Sequence, residues 1–348
     1  LDTSISFVIL LSLAVAMLAA VIFQIAFDDL SRVFTRPGYL IAFLIMSVTG
    51  TLGVLFDQIS TVTRRGDHVL VRGAISGVVT LAGVGLLALA VGRTSPGPIL
   101  IAWAVGNAVP VVIAVAQVRR SVRGYRYSAS VERNLLGSMT RVGWPNWLLT
   151  LAERMPGTVL PIVALELLSA EANASWYTAW MMAWVVYVVP IQIGINLFAE
   201  SSRGEHGLAS IVRSGVVSSL ALGIPTAVFA GVLAPYILRI LGPEYADNAT
   251  TPLRILLIAV IPFTVLQAYF AICRSRMRFR EGIATSVAAS GGGILAAAMV
   301  AGDYGLTGMA WAWLVTQTIA SGWALWRLRT VLVQESEPEA EAMVTAAF

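Results

Sequence analysis

The sequence predicts an all-α, polytopic integral membrane protein of about ten transmembrane helices, and three observations carry that expectation. Apolar runs long enough to cross a bilayer follow one another along the chain. Basic residues crowd into every second connection between them. The composition is 57% hydrophobic and 12% charged over 348 residues, with a mean hydropathy of +0.80. A soluble domain of this size cannot bury so much apolar surface, so its outward face must meet lipid. The runs are apolar all round and lack the alternation of barrel strands, and a helix satisfies its own backbone in hydrocarbon.

The predicted spans are 4–27, 40–63, 69–92, 97–117, 143–168, 175–199, 208–238, 252–273, 282–301 and 305–327. Each has the ~20 residues that cover a hydrocarbon core at about 1.5 Å per residue. Every basic residue is Arg. Arg64, Arg65 and Arg72 follow the second span, and Arg119, Arg120, Arg123, Arg126, Arg133 and Arg141 follow the fourth. Arg203 and Arg213 follow the sixth, Arg274, Arg276, Arg278 and Arg280 the eighth, and Arg327 and Arg329 the tenth. The other connections are poor in Arg: Arg93 stands alone, Glu171 and Asp303 have no basic neighbour, and Arg32 and Arg36 are offset by Asp28 and Asp29. The positive-inside rule then makes the even-numbered loops, and both chain ends, cytoplasmic. The net charge of +4 reports topology, not a nucleic-acid surface. The first span has no charged leading region or cleavage site and reads as a span, not a signal peptide.

The single Cys273 excludes an internal disulfide and a cysteine metal cage, and His68 and His206 lie far apart in sequence. No metal, cofactor or nucleotide site is expected. The triple glycine Gly291, Gly292, Gly293 lacks the strand, Lys and Ser/Thr of a phosphate loop and reads as a close helix contact.

A repeat is also legible. Residues 97–120 read GPILIAWAVGNAVPVVIAVAQVRR and residues 305–328 read GLTGMAWAWLVTQTIASGWALWRL. Both open on Gly and carry Ala-Trp-Ala at the same depth (Ala102 to Ala104, Ala310 to Ala312). An offset of about 208 residues superimposes four spans on four in the same orientation. The expected organisation is a first lobe of four helices at 1–117, a basic cytoplasmic linker at 118–142, a second lobe of six helices at 143–333 and an acidic disordered tail at 334–348. The two bundles form a parallel repeat in which two further helices are expected before Leu1. Residues 131–139 of the linker are a candidate interfacial helix.

Trp144-Pro145-Asn146-Trp147 enters the fifth span, and the segment from Pro161 reads PIVALELLSAEANASWYTAWMMAWVVYVVPIQIGINLFAE. Leu241, Gly242, Pro243, Glu244, Tyr245 and Ala246 precede the eighth span. In these features the chain resembles the lipid-linked polysaccharide (O-antigen) flippases of the multidrug/oligosaccharidyl-lipid/polysaccharide exporter superfamily. The resemblance extends over essentially the whole chain. It implies two helical lobes around a central cavity, a turn at 241–246, and transport of a lipid-linked glycan.

Candidate site residues follow from polar groups inside apolar spans, where charge is costly and normally faces a cavity or a partner. Glu153 and Arg154 lie mid-span, about 15 Å along the helix from Gly143. Being adjacent, they point about 100° apart and do not pair with each other. Glu153 shares a face with Asn146, Thr150 and Gly157, and Arg154 with Trp147, Thr150 and Thr158. Pro156 frees the carbonyl of Ala152. Arg154 is a candidate grip on a substrate diphosphate and Glu153 a candidate carrier of a coupling proton; an interhelical salt bridge is the alternative. Asp57 in the second span pairs either with Arg154, with a cation, or with a nearby loop arginine as an inner gate. Glu200, aligned with Asn196 and Gln192, is a candidate gate residue or a helix end reaching for water. Trp180, Trp184 and Tyr187 are candidate sugar-stacking rings or packing residues, with Trp176 placed in the outer aromatic belt. Trp323 and Trp326 read as inner-interface anchors.

The functional expectation is a transporter, not an enzyme, that flips a polyprenyl-linked oligosaccharide across a bacterial cytoplasmic membrane by alternating access between two lobes. Its expected partners are the bilayer, the lipid-linked oligosaccharide, and glycan polymerases or glycosyltransferases. The alternatives are a drug/cation antiporter or peptidoglycan-precursor flippase of the same superfamily, a membrane glycan polymerase or ligase, and a non-transporting scaffold.

Overall fold

A computed structural model describes residues 2–26, 37–63, 65–91, 96–121, 127–129, 132–202 and 207–346. The expectations placed on Leu1, Asp28, Asp29, Arg32, Arg36, Arg64, Arg93, Arg123, Arg126, Arg203 and His206 lie outside these residues. The described chain is helical, with α1 (Asp2–Ala26), α2 (Pro37–Val62), α3 (Gly66–Val91), α4 (Pro96–Ser121), α5 (Arg133–Leu167), α6 (Ala170–Ser201), α7 (Leu208–Leu241), α8 (Pro243–Ile258), α9 (Val260–Ser275) and α10 (Phe279–Ala346). Large apolar side chains stand exposed along them, such as Ile240 on α7 at 84%. In water that exposure would be prohibitive, and a bilayer removes the cost.

The elements follow from local sequence. Ser169, in extended backbone, accepts the Ala172 N–H at 3.1 Å and starts α6, with Glu171 in the first turn. Gly242 at φ 146° stops α7, and Pro243 opens α8 as its first residue, so the turn implied at 241–246 is present. The eighth span begins at Pro243, earlier than the expected residue 252, and is broken: α8 and α9 meet at Ala259 with a 44° bend. Pro262 explains the break, because it lacks the N–H that would bond the Ile258 carbonyl and its ring crowds that oxygen. Gly305, at φ 57° and ψ −152°, divides α10 into two arms, at the residue where the tenth span was expected to start. Counting the bent pair as one span and α10 as two recovers the ten expected crossings. Residues 133–139 form the opening turns of α5, and the backbone of 334–346, expected to be irregular, continues α10 as helix.

The chain divides into two compact units, Leu1–Thr140 and Arg141–Phe348. In the first, α2 packs on α1 and α4, and α4 on α3, around Ile5, Leu52, Phe56 and Ala114. In the second, α6 packs on α7, α8 and α9, and α10 on α8 and α9. Its core is aromatic, with Trp180 against Trp313 at 5.3 Å and Tyr187 against Phe263 at 4.9 Å between ring centroids.

The two units share a device. In the first, Arg72 on α3 is 4% exposed and donates to Asp57 on α2 at 2.7 Å, to Ser60 at 3.0 Å, to the Phe56 carbonyl at 3.1 Å and to Gln117 on α4. In the second, Glu281 at the start of α10 accepts from Arg327 on the second arm at 2.6 Å and from Tyr269 on α9 at 3.0 Å. These triads stand within a few residues of the offset of about 208. Each ties three helices through one ionised hub, with the sign of the hub reversed.

Candidate functional site

The polar faces of α5 are separated by geometry. Asn146 and Glu153, two turns apart, converge on Arg274 at the end of α9: its Nε donates to Asn146 Oδ1 at 2.9 Å and its Nη2 to Glu153 Oε1 at 2.6 Å. Both partners of the ion pair are largely buried. Gln267, two turns before Arg274 on the same face of α9, lies beside the carboxylate, and the bare backbone of Gly194 on α6 gives it room: a Cβ there would sit 3.3 Å from the Gln267 carbonyl. Thr150 turns its hydroxyl onto the Asn146 carbonyl at 2.9 Å, which removes it from the face shared with either charge.

Arg154 points elsewhere. Its guanidinium carbon sits 5.0 Å from the centroid of the Trp184 ring, and the side chain is exposed. No carboxylate among the described residues bonds it. It lies near the middle of the span Met139–Leu167. On the same exposed side of α5, Trp147 stacks on Trp144 at 5.1 Å, and Thr158 is open. This arrangement presents a fixed positive charge and aromatic faces to whatever occupies that side of the helix.

The aromatic series on α6 divides in two. Trp176 is fully buried, not in an interfacial belt, and Trp180 and Tyr187 are buried with it. Tyr187 donates to the Leu256 carbonyl at 2.5 Å, and the Trp180 indole nitrogen would lie 2.9 Å from a Cβ at Gly157. These three rings build the core, where the structure leaves no room for a sugar. Trp184 alone of the series reaches the exposed face of Arg154. Of the three options for Asp57, the structure comes nearest to the arginine pairing, but the partner is Arg72 inside α3 and not a loop residue. Gln192, Asn196 and Glu200 stand exposed along one face of α6. Of the triple glycine only Gly293 makes the expected close helix contact, where a Cβ would meet Trp313 at 2.8 Å; no atom lies within 4 Å of a Cβ at Gly291 or Gly292. The residues that sequence reasoning missed are Arg274, Gln267 and Glu281. In the sequence Arg274 is a topology signal, and its place one residue past an apolar span is the available clue.

No family model matches the sequence, and no curated protein matches it. Solved structures do. A mutant of the Vibrio cholerae MATE transporter VcmN matches with a TM-score of 0.72 at 15% identity, over 95% of this chain and 79% of that one. An inward-facing multidrug resistance MATE family transporter of the MOP superfamily matches with a TM-score of 0.72 at 14% identity, over 97% and 82%. A MOP superfamily transporter from Pyrococcus furiosus, described as having a binding pocket of reversed polarity that suggests a different function, matches with a TM-score of 0.71 at 13% identity, over 95% and 79%. The chain has the MATE transporter fold. At these identities the likeness is one of fold, and it leaves the cargo to be argued from the residues.

Proposed function

We propose that the chain is a membrane transporter that moves a polyprenyl-linked oligosaccharide across a bacterial cytoplasmic membrane by alternating access. The observation that carries this reading is Arg154: an exposed guanidinium near mid-span, without a carboxylate partner among the described residues and seated over Trp184. An arginine at the centre of a span costs about 3 kcal/mol or more in hydrocarbon. A protein keeps such a residue where an anion or water meets it. Guanidinium binds the paired oxygens of a diphosphate, and the neighbouring indole faces suit the C–H face of a sugar. In this reading Arg154, Trp184 and Trp147 hold the headgroup. Glu153 serves as the coupling or gating carboxylate, released from Arg274 when it takes a proton, and Asp57 and Glu200 act as gates. Both chain ends are cytoplasmic, and glycan polymerases or glycosyltransferases are the natural partners, because they consume or supply a lipid-linked glycan.

The test is a flipping assay with the full chain in liposomes and a fluorescent polyprenyl-diphosphate oligosaccharide. Arg154→Ala is expected to reduce flipping at least ~10-fold, with Arg154→Lys intermediate, because an ammonium keeps the charge but not the fork. Unchanged flipping in Arg154→Ala overturns the assignment. A second reading, a drug/cation antiporter, is favoured by the neighbour described as a multidrug resistance transporter and by the buried carboxylate of Glu153. Thermal stabilisation by organic cations, without stabilisation by lipid-linked sugars, would decide for it. A peptidoglycan-precursor flippase is the remaining variant and would be told apart by the glycan that stabilises the protein.

A further inference from the structure

The two arms of α10 do not close on each other along their whole length. Near Gly305 they are joined, with Trp313 over Gly293 and Gln317 donating to the Ala289 carbonyl at 3.2 Å. At the other end Glu281 ties them through Arg327 at 2.6 Å. Between these ties lies a slot of about 420 Å³, walled mostly by alanines, Ile319 and Trp323, with Thr285 and Thr316 as its polar lining residues. It runs about 8 Å along the first arm, from Ala289 to Ala284, and Glu281 lies one turn beyond its end. Its side is open: Ile319 is 69% and Trp323 50% exposed. The slot is lined by α10 alone and shares no residue with the face of Arg154.

The mouth of the slot is charged. Arg278 and Arg327 both pair with the single carboxylate of Glu281, and Arg280 precedes it in the same turn, so three cations stand beside one acid. Arg280 is exposed and stands one turn before Ala284, on the edge of the slot-lining face. Trp323 and Trp326, with ring centroids 5.0 Å apart, flank this end on the second arm, and indoles settle at headgroup depth. The arrangement therefore has a narrow apolar channel, an aromatic collar and a cationic rim, in that order along one helix pair.

We propose that this slot seats one acyl chain of an anionic phospholipid, with its phosphate held at the rim by Arg280 and the outward edge of Arg327. Lipid tails gain little by leaving other tails, so the channel supplies shape and the rim supplies selection. A second copy of the chain is a poorer occupant. Two copies meeting through this face would set one positive rim beside another.

The test uses the full-length protein in neutral detergent, titrated with phosphatidylglycerol or phosphatidylcholine of the same chains and read by native mass spectrometry. One tightly retained phosphatidylglycerol is expected, preferred roughly ten-fold or more over phosphatidylcholine. Arg280→Gln is expected to reduce the preference several-fold while phosphatidylcholine retention stays unchanged. Ala288→Trp, which fills the slot, is expected to abolish retention of both lipids at unchanged helix content; Ala284→Trp at the open rim serves if that variant does not fold. Equal retention of the two lipids by the unmodified protein overturns the proposal. So does undiminished preference in Arg280→Gln or in the slot-filled variant, displacement by soluble glycerol phosphate at the same concentration, or a dimer in place of a lipid adduct. None of these outcomes depends on flipping activity, so failure here is distinct from failure of the transport reading.

Discussion

At the residue scale, the two neighbours Glu153 and Arg154 show how one turn of helix sorts charges. The 100° between them sends the acid into the second unit and the base to its exposed side. Inside, Glu153 is held by Arg274, whose other donor is taken by Asn146. A buried pair of this kind adds little net stability, yet breaking it is costly, since the partner left behind keeps its charge without water. Arg274→Ala is therefore expected to destabilise the protein by about 3–5 kcal/mol, read from unfolding in mixed micelles. Glu153→Leu combined with Arg274→Met should recover most of that loss, because the apolar pair no longer needs desolvating. A single variant costing under about 1 kcal/mol would show that the carboxylate stays hydrated.

At the element scale, breaks in the helices carry the information. α8 and α9 form one interrupted crossing, and the interruption lies where Pro262 withdraws a donor from the ladder. Interrupted crossings expose backbone carbonyls, a feature that transporter folds use around their sites. The break at Gly305 is of another kind. No atom lies within 4 Å of a Cβ built there, so crowding is absent and only the backbone conformation selects glycine. Gly305→Val should cost about 1–3 kcal/mol in the same unfolding measurement, through strain alone. A neutral outcome would mean that the two arms join through a different backbone conformation. The Arg72 and Glu281 hubs belong to this scale as well. Each holds three helix ends at one point, and each interrupts an otherwise apolar helix with an ion that its neighbours neutralise.

At the scale of the whole molecule, the distribution of arginines sets an orientation that labelling can check. Cys273 is the one cysteine and is buried, so Cys273→Ser provides a clean background. In that background Arg280→Cys should react with a membrane-impermeant maleimide only from the cytoplasmic side, and Asp303→Cys only from the outer side. Labelling of both from one side would invert or refute the topology.

The number and order of the crossings were legible in the sequence, because a bilayer imposes length and apolarity on every span. The break at Gly305 was legible as a glycine between two apolar runs, whereas the turn at Gly242 was implied by the family resemblance. The importance of Glu153 and Arg154 was also visible, since charge inside a span announces itself. Their partners were not. Arg274 lies 121 residues from Glu153, and nothing in a loop arginine distinguishes one that turns inward from one that meets water. The aromatic stripe of α6 was ambiguous for a related reason, since helical spacing marks a shared face without saying what covers it. Trp176, Trp180 and Tyr187 went to the core because α7, α8, α9 and α10 cover that face, and Trp184 to the edge because they do not. Sequence alone determined the membrane, the helices and the charged residues that need explaining, all consequences of local solvent preference. Tertiary structure alone decided which charges neutralise each other and which remain open, because pairing depends on distances between helices that no local pattern encodes.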